Sequence, residues 1–342
     1  MRARSLVTIA LILFAGFLSI YFIVKVRYDL EQNASKLADE FGLPAPEAIE
    51  QPRRGVLEAL RLLPISAVRL FIPTDTPVIH EKVDMTVLWQ RYRIYGQFPK
   101  RRLRALLMTA FYLFALGLLV MLAGGYPRSP IRGVFNFPAL IGSVFILFVY
   151  LTFLVIDAIA LHERFLAQLA ERETHWPPET FKNFGYAVAP DGPYTESDLA
   201  DYWDILFIAR RTEAIGNLIY YPFIVLSLLI VSRLPYFANW TWTPGLIVAL
   251  TIHFLLALYA AWRLPRAARA YRELVLERME QRRRQNLKDP KEESAALDAV
   301  IQHVQSTHQG AFAYLWEQPA VRALLLPSTG LGLTTLLQLL PH

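Results

Sequence analysis

The sequence predicts an all-α, polytopic membrane protein with five or six transmembrane helices and helical segments on the cytoplasmic side. Hydrophobic residues make up 54% of the chain and charged residues only 19%, whereas soluble domains average about 45–50% and about 25%. The apolar residues are concentrated in blocks of 18 or 19, close to the roughly 20 that a helix needs to cross a bilayer. Arginine and lysine cluster beside these blocks, as they do in membrane proteins.

The apolar blocks divide the chain into seven segments, each with a predicted structure. They are an amino-terminal transmembrane anchor (1–24), a cytoplasmic segment (25–104) with an interfacial amphipathic helix (55–72), a transmembrane hairpin (105–161, with spans 105–123 and 139–156), a cytoplasmic loop and helix (162–214), a second transmembrane hairpin (215–262, with spans 215–232 and 245–262), a basic cytoplasmic helical hairpin (263–319) and a sixth transmembrane or re-entrant segment (320–342).

The first block, residues 6–24, predicts a retained anchor. It is longer than the apolar core of a signal peptide, and no small-x-small cleavage pattern follows it. The sixth block, 323–340, is weaker because it contains Pro327, Gly330 and Gly332. A full pass and a re-entrant segment buried in protein therefore both stay open for it.

Residues 55–72 are apolar but carry Glu58, Arg61 and Arg69. Placing three charges at membrane depth costs about 7–9 kcal/mol of insertion free energy. Transfer of the apolar residues into the membrane offsets only about 5 kcal/mol of this. At 100° per residue the three charges fall within one narrow arc. This segment is therefore predicted to lie in the interface rather than to span.

Basic residues predict the orientation of the chain. Thirty of the 35 Lys and Arg residues lie in three segments, 25–104, 162–211 and 263–322. Short basic loops favour the cytoplasm, so these segments are predicted to be cytoplasmic and the amino terminus to lie outside. Arg2 and Arg4 taken alone favour the opposite orientation of the first helix.

Two sequence stretches resemble a group of uncharacterised polytopic bacterial membrane proteins. The first is IARRTEAIGNLIYYPF, residues 208–223. The second includes GAFAY at 310–314 and QPAVRALLLP at 318–327. The resemblance implies a location in the bacterial inner membrane. It implies no activity and no catalytic residue.

Ionisable residues inside spans are functional hypotheses because burying them in lipid is expensive. His253 lies in the fifth block and Asp157 at the cytoplasmic end of the third. Their depths differ by about 15 Å, which disfavours a direct His–Asp proton relay. We expect His253 to be a neutral imidazole hydrogen-bonded to a neighbouring helix. A ligand-binding or proton-carrying role is the alternative.

Tyr221 precedes Pro222 inside the fourth block. Proline interrupts a helix, and interrupted helices often line transport sites. Membrane helices also tolerate proline for purely structural reasons, and we find no matching break in another span.

A group of polar residues is expected at the cytoplasmic ends of the third and fourth spans. Its members are Asp157, His162, Arg211, Glu213 and Asn217. They could form ion pairs that anchor the helix ends, or a site for a polar ligand.

The arginine-rich run Arg278–Lys291 predicts contact with a cytoplasmic protein partner or with anionic lipid. Sequence motifs for metal and nucleotide binding are missing, because the chain has no cysteine, no HExxH pattern and no P-loop. We therefore predict no catalytic residue, no cofactor, no metal and no nucleic-acid binding.

These observations favour a non-catalytic membrane scaffold, sensor or complex subunit that presents cytoplasmic helices to a partner. The first alternative is a transporter or channel for a small solute or ion, which should show paired broken helices. The second is a membrane-embedded enzyme, which should show acid, base or metal groups converging at one depth.

Overall fold

The computed structural model describes residues 2–44, 82–122, 137–188, 196–232, 244–286, 291–319 and 321–322. The predicted interfacial helix 55–72 and the sixth block 323–340 lie outside these residues. Almost all described residues are helical. The elements are α1 (Arg2–Phe41), β1 (Lys82–Asp84), α2 (Met85–Gly96), α3 (Phe98–Leu122), α4 (Phe137–Ala170), β2 (Glu173–His175), α5 (Pro178–Val188), α6 (Glu196–Leu218), α7 (Tyr220–Ser232), α8 (Pro244–Asn286), α9 (Lys291–Ser306) and two 3-10 turns (Gly310–Phe312 and Leu315–Glu317).

Among the described residues, four helical runs are long and apolar enough to cross a membrane. They are Leu6–Phe41, Phe98–Leu122, Ala139–Ala170 and Glu196–Ser232, the last of which joins α6 and α7. These runs contain the first four predicted blocks. The fifth block, 245–262, is helical as the first part of α8 but is not among the four. The predicted count of five or six spans is therefore not confirmed.

One half of the molecule, the apolar bundle, consists of α7, the first parts of α1 and α8, α3, and most of α4, packed around one hydrophobic core. The central helix is α4, which contacts α1, α3 and α8. Outside this core, Phe111 and Phe114 of α3 are 71% and 75% exposed. Large apolar side chains exposed in a row suit contact with hydrocarbon rather than with water.

The other half, the head, has its own hydrophobic core. It combines the end of α1, α2, the end of α4, α6, the second half of α8, α9 and the turn Gly310–Phe312. Trp89, Trp176 and Trp203 are among its largest fully buried side chains. Residues from the segments 25–104, 162–214 and 263–319, which apolar blocks separate in the sequence, therefore share one core.

Short-range hydrogen bonds define the end of α1 and the start of α2 in the head. Gly42 closes α1 with a φ of 61°, and the Leu43 N–H donates to the Ala38 carbonyl at 2.8 Å, which is the Schellman pattern. Asp84 caps α2, because its carboxylate accepts from the Thr86 N–H at 2.7 Å.

Two further connections bring distant parts of the head together. Strands β1 and β2 pair in parallel and so link the start of α2 to the chain that follows α4. Helices α8 and α9 run antiparallel. Arg283 pairs with Asp298 at 3.0 Å near their connection, and Arg272 Nη1 donates to the Thr307 carbonyl at 3.3 Å further along.

Candidate functional site

Asp157 lies where the apolar bundle meets the head, and two arginines of α3 approach it. Arg104 binds the carboxylate with two nitrogens, at 2.5 and 2.8 Å, and also donates to the Tyr95 carbonyl at 3.0 Å. Arg101 Nε stays 3.7 Å from the same carboxylate. The basic run before the second block was predicted to mark a membrane end, but its ion pair with Asp157 was not predicted.

Arg211 is buried, and its hydrogen-bond partners among the described residues are neutral. Its guanidinium donates to Asn33 Oδ1 at 2.6 Å, to the Tyr92 hydroxyl at 3.1 Å and to the Leu30 carbonyl at 3.3 Å. These partners tie α6 to α1 and α2. Because a buried guanidinium stays charged, Arg211 brings a full positive charge into this region.

His162 is completely buried beside Arg211. Its ring lies 6.1 Å from the Tyr92 ring and 5.8 Å from the Phe165 ring. Neither ring nitrogen has a hydrogen-bond partner among the described residues. An imidazole in such a place is held neutral by its loss of hydration.

The other predicted residues of this group do not join it. Glu213 and Asn217 are exposed. Two charged neighbours along the chain pair elsewhere, since Glu163 binds Arg263 at 2.8 Å and Arg210 binds Glu40. The structure thus separates Glu213 and Asn217 from the more buried Asp157, His162 and Arg211.

Tyr221 lies just after the break between α6 and α7. Its hydroxyl donates to Asp29 of α1, and its ring stacks on Phe22 with 4.5 Å between centroids. Asp29 also accepts from Lys25 at 2.9 Å. The helix interruption at Ile219, three residues before Pro222, therefore lies close to a polar contact with α1 that sequence reasoning did not find.

His253 makes the hydrogen bond that was predicted to a neighbouring helix. Its Nε2 lies 2.9 Å from Thr152 Oγ1 on α4. The Thr152 hydroxyl donates to the Phe148 carbonyl at 3.0 Å, so His253 Nε2–H is the donor to Thr152. Asp157 is bound by Arg104 instead, in agreement with the predicted separation of His253 from Asp157.

The head contains a buried carboxylate that sequence reasoning missed. Asp204 of α6 accepts from Thr174 Oγ1 at 2.8 Å, from Trp176 Nε1 at 3.0 Å and from the Tyr271 hydroxyl at 2.7 Å. Burial raises the pKa of the Asp204 carboxyl to about 7, against these stabilising hydrogen bonds. Asp204 joins α6 and α8 to the segment that follows α4.

Several side chains of the arginine-rich run Arg278–Lys291 point into the head. Arg282 binds Asp201 and Asp198, the latter at 2.5 Å. Arg278 donates to the Ala170 carbonyl at 2.7 Å. The spacing offered a signal, because acidic residues at 198, 201 and 204 share one face of α6, and arginines at 278 and 282 share one face of α8.

The two stretches that carry the family resemblance lie against each other. The Ala311 N–H donates to Thr212 Oγ1 at 2.9 Å. Gly310 has a φ of 58°, and a Cβ there would come within 2.1 Å of the Ala209 carbonyl oxygen. Only glycine fits this close approach, so α6 and the 3-10 turn pack as one unit.

Histidine and carboxylate side chains are the potential metal ligands of this chain. His175 Nδ1 lies 2.8 Å from a carboxylate oxygen of Glu196, whereas the ring nitrogens of His162 have no hydrogen-bond partner among the described residues. Within the described ranges, no three His, Cys, Asp or Glu side chains come together as a metal site.

No family model matches the sequence, and neither a curated protein nor a solved structure matches the chain. Function is therefore inferred from the contacts within the chain.

Proposed function

We propose that this chain is a non-catalytic integral membrane scaffold, sensor or complex subunit that presents a helical head to a cytoplasmic partner. One observation carries the proposal: segments 25–104, 162–214 and 263–319 contribute to a single buried core. Helices anchored in lipid thereby support a folded surface of fixed shape. Such a surface is what a partner protein recognises with little loss of conformational entropy.

The proposed topology has five spans, and the first part of α8 supplies the fifth. Residues 245–262 of α8 pack along α4, and His253 is buried between them. For residues 323–340 we propose a sixth span or a re-entrant segment. With the head in the cytoplasm, the predicted amino terminus lies outside, and the inner membrane is the proposed location, as the resemblance implies.

Single cysteines test this topology without background, since the natural chain has none. We expect a membrane-impermeant thiol reagent to label Pro130→Cys and Ala238→Cys in intact cells. Ala45→Cys, Gly185→Cys and Gln285→Cys should react only after the membrane is opened. Labelling of the last three in intact cells would reverse the proposed orientation.

Co-purification in mild detergent tests the scaffold role. Gln302 and Gln305 lie on the exposed face of α9, whose opposite face buries Val300 and Val304 in the head. We expect a partner to be retained in near-stoichiometric amount by the parent chain. A Gln302→Lys, Gln305→Lys double variant should retain about tenfold less of it.

The matched control for the surface variant is Phe114→Leu, which changes an exposed side chain of the apolar bundle. It should retain the partner as the parent does. If cross-linked and mildly solubilised parent chain retains no protein at all, the proposal fails.

A transporter is the second candidate, and the helix break beside Tyr221 favours it. The Tyr221 hydroxyl binds Asp29 at this interruption, where a solute or proton could be bound. Substrate-dependent flux in proteoliposomes, abolished by Tyr221→Phe and kept by Tyr220→Phe, would place this function above the scaffold.

A further inference from the structure

Three arginines converge where the apolar bundle meets the head. They form the junction basic centre, which consists of Arg101, Arg104 and Arg211 together with Asp157 and His162. The exposed fractions of the three arginines are 3%, 9% and 2%. The positive charges of Arg104 and Arg211 both act on Arg101, so the three guanidinium groups belong to one electrostatic neighbourhood.

The charges of this centre do not balance among the described residues. Among the described residues, Asp157 is the carboxylate that Arg101 and Arg104 contact, and Arg104 binds both of its oxygens. Arg101 stays at 3.7 Å from Asp157, and its Nη1 has no hydrogen-bond partner within the described ranges. The oxygen atoms that Arg211 contacts there are all neutral. In the described part of the chain, three buried arginines are therefore accompanied by one contacting carboxylate.

An uncompensated buried charge is strongly unfavourable. Arginine cannot escape this cost by releasing its proton, because its pKa is too high. A bound anion would remove the imbalance and satisfy the free Nη1–H groups of Arg101. His162 offers a further N–H in the same region, since neither of its ring nitrogens is engaged.

We propose that the junction basic centre binds an anionic phosphate group, with Arg101 as its principal ligand. Guanidinium groups bind phosphate oxygens in a planar, often bidentate geometry. Arg101 lies four residues before the predicted span 105–123. A residue at such a span end lies at the depth of the phospholipid headgroups. Arg93 of α2 borders the centre and is only partly buried.

The phosphate could belong to a phospholipid headgroup or to a free ion, and thermal unfolding distinguishes the two sources. The delipidated chain is held in neutral detergent at constant ionic strength. Inorganic phosphate, phosphatidylglycerol or phosphatidylcholine is then titrated. We expect phosphate or phosphatidylglycerol at 100 times its Kd to raise the unfolding midpoint by about 5 °C. A shift with phosphatidylglycerol alone identifies a headgroup site, and a shift with both identifies a small-anion site.

Arg101→Met tests the assigned ligand, and Arg102→Met is its matched control, because Arg102 is the exposed neighbour on the same helix. Arg101→Met should lose the shift. Without anion it should unfold no lower than the parent chain, since it removes a buried charge that only the 3.7 Å approach to Asp157 offsets among the described residues. Arg102→Met should keep the full shift. Arg101→Lys, which keeps the charge but not the planar fork, should bind at least about fivefold more weakly.

The proposal is overturned if neither anion raises the midpoint of the parent chain. It is also overturned if Arg101→Met keeps the shift, or if Arg102→Met loses as much of it. Should Arg101→Met fail to fold, phosphorus analysis of the parent and Arg101→Lys chains decides. About one phosphate retained per parent chain and clearly less per Arg101→Lys chain supports the site, whereas equal amounts contradict it. The proposal does not depend on the scaffold function.

Discussion

The apolar bundle and the head are built from the same helices but place their polar and apolar groups in opposite ways. The bundle exposes large apolar side chains such as Phe114, which is 75% exposed. The head hides its largest side chains, including Trp176 and Trp203, at 1% exposure or less. The difference reflects the solvent outside each half. Hydrocarbon gives no hydrophobic penalty to an outward phenylalanine, whereas water does.

Buried polar groups also differ between the two halves. In the bundle, the His253–Thr152 hydrogen bond joins two helices, and its two residues are 101 positions apart in the sequence. In the head, Asp204 accepts three hydrogen bonds from two other segments of the chain, one that follows α4 and one in α8. One carboxylate thus joins three segments of the head, whereas the histidine of the bundle joins two helices.

The largest expected contrast between the two halves comes from removing a phenylalanine ring. Phe207→Ala should destabilise the head by about 3–5 kcal/mol, because the ring packs in full burial against Phe41 and Trp176. Phe114→Ala should cost less than about 1 kcal/mol, since its ring faces outward. Chemical unfolding in detergent, followed by tryptophan fluorescence, measures both. Equal losses would contradict the division into two halves.

Removing the buried carboxylate of the head is the next largest change. Asp204→Ala leaves the Thr174, Trp176 and Tyr271 donors without an acceptor, and we expect it to cost about 2–4 kcal/mol. The exposed acid Asp39 on α1 provides the control, and Asp39→Ala should change the free energy of unfolding by less than about 0.5 kcal/mol. A similar effect of both variants would show that Asp204 does not hold the head together.

Two glycines sharpen the comparison of backbone packing. Gly310→Ala in the head combines a positive φ with a Cβ that would lie 2.1 Å from the Ala209 carbonyl oxygen. We expect it to destabilise by about 1–3 kcal/mol. Gly142→Ala in α4 meets no atom within 4 Å and should be neutral or stabilising by up to about 1 kcal/mol. The same unfolding assay compares them, and a reversed order would refute the close approach at Gly310.

A pH dependence confined to the head is a further predicted effect. The pKa of Asp204 is raised to about 7 and that of Asp201 to about 6, in both cases chiefly by burial. Between about pH 4 and 7 the folded chain therefore binds more protons than the unfolded chain, whose Asp pKa is about 3.9. The free energy of unfolding should fall as pH rises, by up to about 1.4 kcal/mol per pH unit for each group.

The Asp204→Asn variant isolates the contribution of Asp204 to the pH dependence of the free energy of unfolding. An amide does not titrate and can still form hydrogen bonds with the neighbouring hydroxyl groups. Its free energy of unfolding should fall less steeply than that of the parent chain over the same pH range. Parallel slopes for the two chains would show that Asp204 does not titrate in this window.

Sequence patterns predicted the helical elements well wherever one physical effect dominated. Residues 105–122 of the block 105–123 lie in α3, and the block 139–156 lies in α4, which continues to Ala170. The interruption expected beside Pro222 is found at Ile219, between α6 and α7. Hydrophobicity and proline act locally, so their consequences can be inferred without knowing the neighbours.

The polar partners were harder to predict. Asp157 was recognised as important, but its partner Arg104 lies 53 residues away on another helix. Arg282 was taken for part of a surface run, yet it binds Asp198 and Asp201 inside the head. Charge counts do not reveal which face of a helix becomes buried, and that choice depends on the helices packed against it.

The sequence by itself determined that this chain is a helical membrane protein, because apolar blocks of this length are stable only when hydrocarbon or protein surrounds them. The tertiary structure alone decided that three separated charged segments share one core, and that Arg101 and Arg211 are buried. Contacts between residues far apart in sequence depend on how the helices pack, and no local pattern of residues specifies that packing.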